Sequence, residues 1–200
     1  IFKIVMGIIM TAAEQKSRMG RSYKLILLFA MISMTMMFAG LTSAFVVSKS
    51  RTDWLKDFQL PTAFFYSTIA IVGCSVTFHL AKKAIQKNNQ SRTTTFLLAT
   101  LALGIMFVIL QFVGFQQIVN NGYYFTGSGS SITTTFLYVV TVVHLIHLAG
   151  GLISLLIIIY NHFKQKYNSS QTLGIELGAM YWHFLDILWV YLFLFLYFFK

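Results

Sequence analysis

Negative charge is scarce in this 200-residue chain, with five Asp/Glu against fifteen Lys/Arg and charged side chains at only 10% of the total. Soluble domains carry about a quarter charged residues. Together with 57% apolar residues and a mean hydropathy of +0.73, the shortage points to a membrane protein, because no 200-residue soluble core hides that much apolar surface. Cysteine is nearly missing too. Cys74 stands alone in the middle of an apolar stretch, which excludes a disulfide framework or a cysteine-based metal site within the chain and makes it a small core residue. No Pro/Ser-rich linker divides the sequence, so a single bundle is expected. The basic excess would suggest nucleic-acid binding in a soluble domain. Here the Lys and Arg residues cluster in short segments between apolar runs, the footprint of membrane topology, and no nucleic-acid partner is expected.

A bilayer core of about 30 Å needs roughly 20 apolar residues at 1.5 Å each, which converts uncharged runs into spans. Leu25 to Val47 and Leu60 to Ala81 contain no Lys, Arg, Asp or Glu, and Pro61 sits where a helix tolerates it, in the first turn. Thr93 to Phe163 is also uncharged but too long for one helix; the turn-forming run from Asn120-Asn121-Gly122 to Gly127-Ser128-Gly129-Ser130-Ser131 divides it. The expectation is an all-α, polytopic bundle of five transmembrane helices at about 24–48, 61–86, 93–119, 132–162 and 173–199, preceded by a cytoplasmic segment at 1–22. Barrel strands would alternate apolar and polar, and these runs are apolar all round. Ile1 to Met10 is too short to span and lacks a small-residue cleavage pattern, so it reads as a frayed or interfacial leader rather than a secretory signal.

Orientation follows from the positive charges. Lys16, Arg18, Arg21 and Lys24 precede the first span, Lys82, Lys83, Lys87 and Arg92 fill the second loop, and Lys164 and Lys166 the fourth. The third loop has no charge, and the first offsets Lys49, Arg51 and Lys56 with Asp53 and Asp57. A cytoplasmic N-terminus and a periplasmic end at Lys200 are expected, with Trp54, Tyr123, Tyr124, Tyr197 and Phe199 near the interfaces.

Ionisable groups inside spans point most directly to function, since an unpaired Asp at mid-bilayer costs about 2.5–3.5 kcal/mol. Asp186 therefore requires a partner. His183 and Asp186 are three residues apart and share a helix face, with Glu176 seven residues before His183, roughly on that face and about 10 Å nearer the cytoplasm; His144 and His147 repeat the spacing one helix earlier. One reading makes His144, His147, His183 and Asp186 ligands of a haem or metal, although an i, i+3 pair on one helix cannot grip a haem from both sides. The other is a polar seam pinning helix on helix, with Asp186 accepting from an imidazole or indole. Gly174-Ile175-Glu176-Leu177-Gly178 and Gly150-Gly151 read as close-packing faces. Met31, Met34, Met36 and Met37 resemble a copper-transport stripe but have no extramembrane Met cluster or His-rich tail, so core packing is expected. His79 and His162 lie near cytoplasmic helix ends, where histidine suits the helix dipole.

Gly178-Ala179-Met180-Tyr181-Trp182-His183-Phe184-Leu185-Asp186-Ile187-Leu188-Trp189, with Glu176 ahead of it, resembles the last-helix motif of subunit III of haem-copper oxidases such as cytochrome c oxidase. His144-Leu145-Ile146-His147-Leu148-Ala149-Gly150 is similar to that family's paired-histidine helix, Leu110-Gln111 to the end of the preceding helix, and Phe38-Ala39-Gly40 with Ala44-Phe45 to the first helix after its lipid cleft. The resemblance runs from Leu25 onward and implies a five-helix form, known in bacterial relatives, lacking the first two of seven helices. It implies an accessory subunit of a proton-pumping, oxygen-reducing oxidase in the bacterial inner membrane, with the haems and copper in partner subunits I and II. This chain would have no redox centre and no catalytic residue. Its main contact would be subunit I, with subunit II, bound phospholipid and a supercomplex with a quinol:cytochrome c reductase-type complex as further partners, and it would help sustain proton uptake. His144, His147, Glu176, Trp182, His183 and Asp186 would then serve helix packing or lipid contact. A quinol oxidase or a nitric-oxide reductase could use the same subunit, while a stand-alone membrane cytochrome or metal transporter is the reading from a different class. One family feature is missing: a glutamate often stands four residues before the Phe-Ala-Gly, and here that position is Met34.

Overall fold

The computed structural model describes residues 2–55, 59–127, 130–168 and 171–199, apart from the side chains of 2–13 and 16. Lys56, Asp57, Ser128, Gly129, Lys200 and the Lys16 side chain, used above for topology, lie outside what is described. Among the described residues the fold consists of five α-helices, α1 (Phe2–Val47), α2 (Thr62–Gln86), α3 (Gln90–Asn120), α4 (Ile132–Phe163) and α5 (Leu173–Phe198), with one 3-10 turn at Ser48–Ser50 after α1. Each is long and apolar enough to cross a bilayer, and among the described residues the only β features are isolated bridges at Tyr124–Ser130 and Asn168–Gln171.

Four helices begin and end within a few residues of the expected spans. The exception is α1, which starts at Phe2 rather than near residue 24. Charge marks where a chain leaves the hydrocarbon, not where helical hydrogen bonding stops. Between Thr11 and Lys24 no proline interrupts the run, and Ala12, Ala13, Glu14 and Gln15 are good helix formers, so the helix continues through the basic segment.

The loops end their helices by recognisable chemistry. Asn88 adopts φ +58°, and the amide of Asn89 returns to the Ala84 carbonyl at 3.0 Å. Asn89 then caps α3, its side chain accepting from the Arg92 amide at 3.1 Å, which makes α2 and α3 a tight antiparallel hairpin. After α3, Gly122 at φ +82° makes the turn expected from Asn-Gly. Ser131 opens α4 with a capping box closed by Thr134, both amide bonds being 3.2 Å. Ser131→Ala should cost about 1 kcal/mol, read as a lower midpoint of unfolding in mixed micelles. An unchanged midpoint would show that water replaces the cap.

The helix with the motif lies at the centre. α5 is the most buried of the five and α1 the least; α5 packs on α1, α2 and α4 and reaches α3 through Trp182, whose ring lies 3.3 Å from the Cβ position of Gly104. Cys74 is fully buried as expected, its thiol donating to the Thr100 carbonyl at 3.6 Å. The methionines differ from expectation. Met36 and Met37 are exposed on α1 rather than packed in a core, because that helix has a neighbour on only one side.

Candidate functional site

Of the six polar or aromatic residues singled out from the sequence, four lie on α5 and two on α4, and they face different neighbours. Glu176, in the first turn of α5, accepts from Lys24 Nζ at 2.7 Å and from the Thr172 hydroxyl at 2.8 Å, so it ties the last helix to the first. Trp182 is 1% exposed, with its ring 6.1 Å from Phe78 and its Nε1 unpartnered among the described residues. His183 turns toward α2, where Ser75 Oγ lies 2.7 Å from Nδ1.

Asp186 is 4% exposed, and neither carboxyl oxygen has a hydrogen-bond partner among the described residues. Ser75 and Cys74 of α2 are close to it. No imidazole or indole donates to it. Trp189 instead donates its Nε1 hydrogen to Thr68 Oγ1 at 3.1 Å.

The α4 histidines share a helix side and the Phe38 ring but no hydrogen-bond partner. His144 is fully buried in an aromatic box, 5.2 Å from Trp189, 6.2 Å from Phe107 and 6.4 Å from Phe38 by ring centroids, and neither nitrogen has a described partner. His147 Nδ1 donates to its own helix at the Val143 carbonyl, 2.8 Å away, and the ring packs 5.8 Å from Phe38. His183 and Asp186 thus both face α2, Glu176 faces α1, and His144 faces the aromatic centre. Among the described residues no three His, Cys, Asp or Glu side chains gather as a metal ion would require.

Several pairings were not found from the sequence. Ser75 is an ordinary small residue in an apolar run, and nothing local marks it as the partner of His183. Thr94 Oγ1 meets His162 Nε2 at 2.8 Å and joins α3 to α4; Gln111 donates to Ser67 Oγ at 2.8 Å and joins α3 to α2. Lys24 could have been found. Helices one and five enter the membrane from the same side, so the last base before the first span and the acid in the first turn of the fifth lie at one level.

The buried Trp182 and Trp189, two turns apart at the bundle centre and preceded by an acid tied to α1, give the last-helix motif a structural setting. A model of the family described as cytochrome c oxidase subunit III matches residues 9–200. The chain belongs to that family. It is 34% identical over 140 residues to cytochrome c oxidase subunit 3 of Spodoptera frugiperda, covering 70% of this chain and 89% of that protein. Over the same length it is 32% identical to the Drosophila melanogaster subunit 3, and over 143 residues 29% identical to that of Petromyzon marinus, but these matches take in only 50% and 51% of the relatives. The chain thus spans about half the length of most of the subunits 3 it matches. Its five helices long and apolar enough to cross a bilayer make it a multi-pass membrane protein of this family.

Proposed function

We propose that this chain is the accessory subunit III of a proton-pumping terminal oxidase that reduces oxygen to water with electrons from cytochrome c, in a bacterial inner membrane with the N-terminus cytoplasmic. The family match over residues 9–200 carries this reading. A role without redox chemistry in this chain is supported by the packing of three of its five histidines: His183 on Ser75, His147 on its own helix and His144 among aromatic rings. Haems and copper then belong to subunits I and II, with subunit I the main contact. The discriminating experiment is purification of the tagged chain from its native membranes. Haem bands and a subunit with a binuclear copper site should accompany it, while the chain purified alone should have no stoichiometric haem band; such a band would overturn the reading.

The same function includes phospholipid binding, for which the fold offers a groove of about 570 Å³ between α1, α4 and α5. The Lys24–Glu176 pair ties α1 to α5 beside the basic end of this groove, and further along these helices Thr42 meets the Tyr191 hydroxyl at 3.1 Å and Phe38 packs on the α4 histidines. Between these points Ile26 and Ala30 stand off from Gly150 and Ser154, leaving an apolar channel that lipid tails fill. Tyr167 lies at the basic mouth, and burial pushes its phenol above the usual range, countered in part by a hydrogen bond with Asn161, so it stays neutral there. Ala30→Phe combined with Ser154→Phe should fill the channel and lower the phospholipid retained per purified oxidase, counted by mass spectrometry. Unchanged retention would place the lipid elsewhere.

A further inference from the structure

The turn between α2 and α3 gathers cations with no anion to answer them. Lys83 and Lys87 lie one helical turn apart at the end of α2, and Arg92 is the third residue of α3; all three are exposed and line one cavity of about 270 Å³. Among the described residues the ion pairs are Lys24–Glu176 and Arg51–Asp53, so none of the three has a carboxylate partner there. The sequence has no Asp or Glu between Asp57 and Glu176. Like charges one turn apart destabilise a helix. The two lysines suit the C-terminal end of the α2 dipole, but Arg92 sits in the first turn of α3, the end that favours an anion, and no acid in that turn offsets it. An anion in the cavity relieves both penalties.

The rest of the cavity indicates what bears that anion. Below the charges its wall is apolar, made by Leu80, Ala84 and Phe96. Phe96 follows Arg92 by one turn, about 6 Å deeper along α3, and on α2 the exposed Val76 and Val72 continue the wall beyond Leu80 at four-residue steps. The level is the membrane boundary. Lys82 is close enough to Glu176 to act on its charge, and Glu176 pairs with Lys24, so the end of α2, the first turn of α5 and the basic entry to the first span lie at one height. Cations above an apolar wall at that height match a phosphate headgroup with acyl chains beneath it. Free phosphate would leave the wall bare, and an acidic peptide would lay polar backbone against it.

We propose that the α2/α3 turn is a binding site for an anionic phospholipid, its phosphate held by Lys83, Lys87 and Arg92 and its tails lying along Leu80, Phe96 and Val76. The site shares no residue with the groove between α1, α4 and α5 and does not depend on which oxidase the chain serves.

The complex purified through this chain, placed in phosphatidylcholine nanodiscs with a minor share of phosphatidylglycerol bearing a diazirine near the top of one acyl chain, tests this by irradiation and peptide mapping. Adducts should fall within residues 76–96. Lys87→Gln combined with Arg92→Gln should lower their yield about fivefold or more, and Lys87→Arg should leave it unchanged. Arg18→Gln with Arg21→Gln, which removes the same charge from exposed positions on α1, should change it by less than about twofold. Equal losses in the two charge-removing pairs would reduce the effect to general surface potential and overturn the site. Equal labelling by a diazirine phosphatidylcholine would do the same. So would labelling lost to inorganic phosphate but not to chloride of equal ionic strength, which would make free phosphate the ligand, or no adduct in this stretch, which would mean that protein covers it.

Discussion

Trp189→Ala is expected to lower the stability of the isolated bundle by about 3 kcal/mol, at the lower end of the 3–5 kcal/mol seen for large aromatic truncations in soluble cores. The discount reflects the solvent: in a bilayer the unfolded helices meet lipid as apolar as the core, so little transfer energy is lost and the cost lies in packing and hydrogen bonding. Both are concentrated here. The indole is 1% exposed, meets Phe107 edge-on at 5.1 Å and Phe64 at 5.9 Å, lies 5.2 Å from His144, and donates to Thr68. Each aromatic pair contributes about 0.5–1.5 kcal/mol, and truncation would orphan the ring contacts of three other helices at once. Reversible unfolding in mixed micelles, followed by far-UV circular dichroism, measures the effect. Ile109→Ala on the exposed side of α3 serves as the reference, with an expected change under about 0.5 kcal/mol. Equal shifts for the two variants would mean that the aromatic centre is not what holds the bundle together.

Gly114→Leu should cost as much by the opposite route. A Cβ at residue 114 would already collide with the ring of Phe64. Phe64 cannot yield, because it is fully buried and braced edge-on by Trp189 and by Phe115, at centroid distances of 5.9 and 6.3 Å. Overpacking a rigid site costs about 1–3 kcal/mol and occasionally more, and leucine adds three carbons beyond the first clash, so a loss of about 3 kcal/mol is expected with the α2/α3 hairpin forced apart. Gly40→Ala gives the opposite sign in the same assay. Nothing lies within 4 Å of its Cβ position in α1, so relief of helical glycine entropy should stabilise by about 0.5–1 kcal/mol. If Gly114→Leu and Gly40→Ala behaved alike, the close approach of α2 and α3 would not be the reason for glycine at 114.

Legibility in the sequence differed from residue to residue. The last helix could be read in advance as a span because Leu173 onward is long and apolar, and as a family signature because Trp182, His183 and Asp186 keep a distinctive order. Its partners could not. Ser75 is one small residue among many in α2, and only the rotation and depth of α2 against α5 bring it to His183. The same holds for Thr68 under Trp189 and for Gln111 beside Ser67. Asp186 was expected to accept from an imidazole or indole, and the structure instead turns it to Ser75 and Cys74 with neither oxygen bonded among the described residues.

The number of helices, their limits and the basic end of the bundle were determined by the sequence alone, because hydrocarbon thickness converts run length and charge position into spans without reference to any other segment. Even there, the start of α1 was out of reach, since charge marks the membrane boundary and not the end of a helix. The central place of α5, the groove between α1 and α4, the aromatic box around His144 and the pairing of His183 with Ser75 were decided only by the tertiary structure. In lipid almost every face of these helices is apolar, so hydrophobicity cannot say which side turns inward; small residues such as Gly104 and Gly114, and the few polar groups that must find partners, make that choice through contacts distant in the chain.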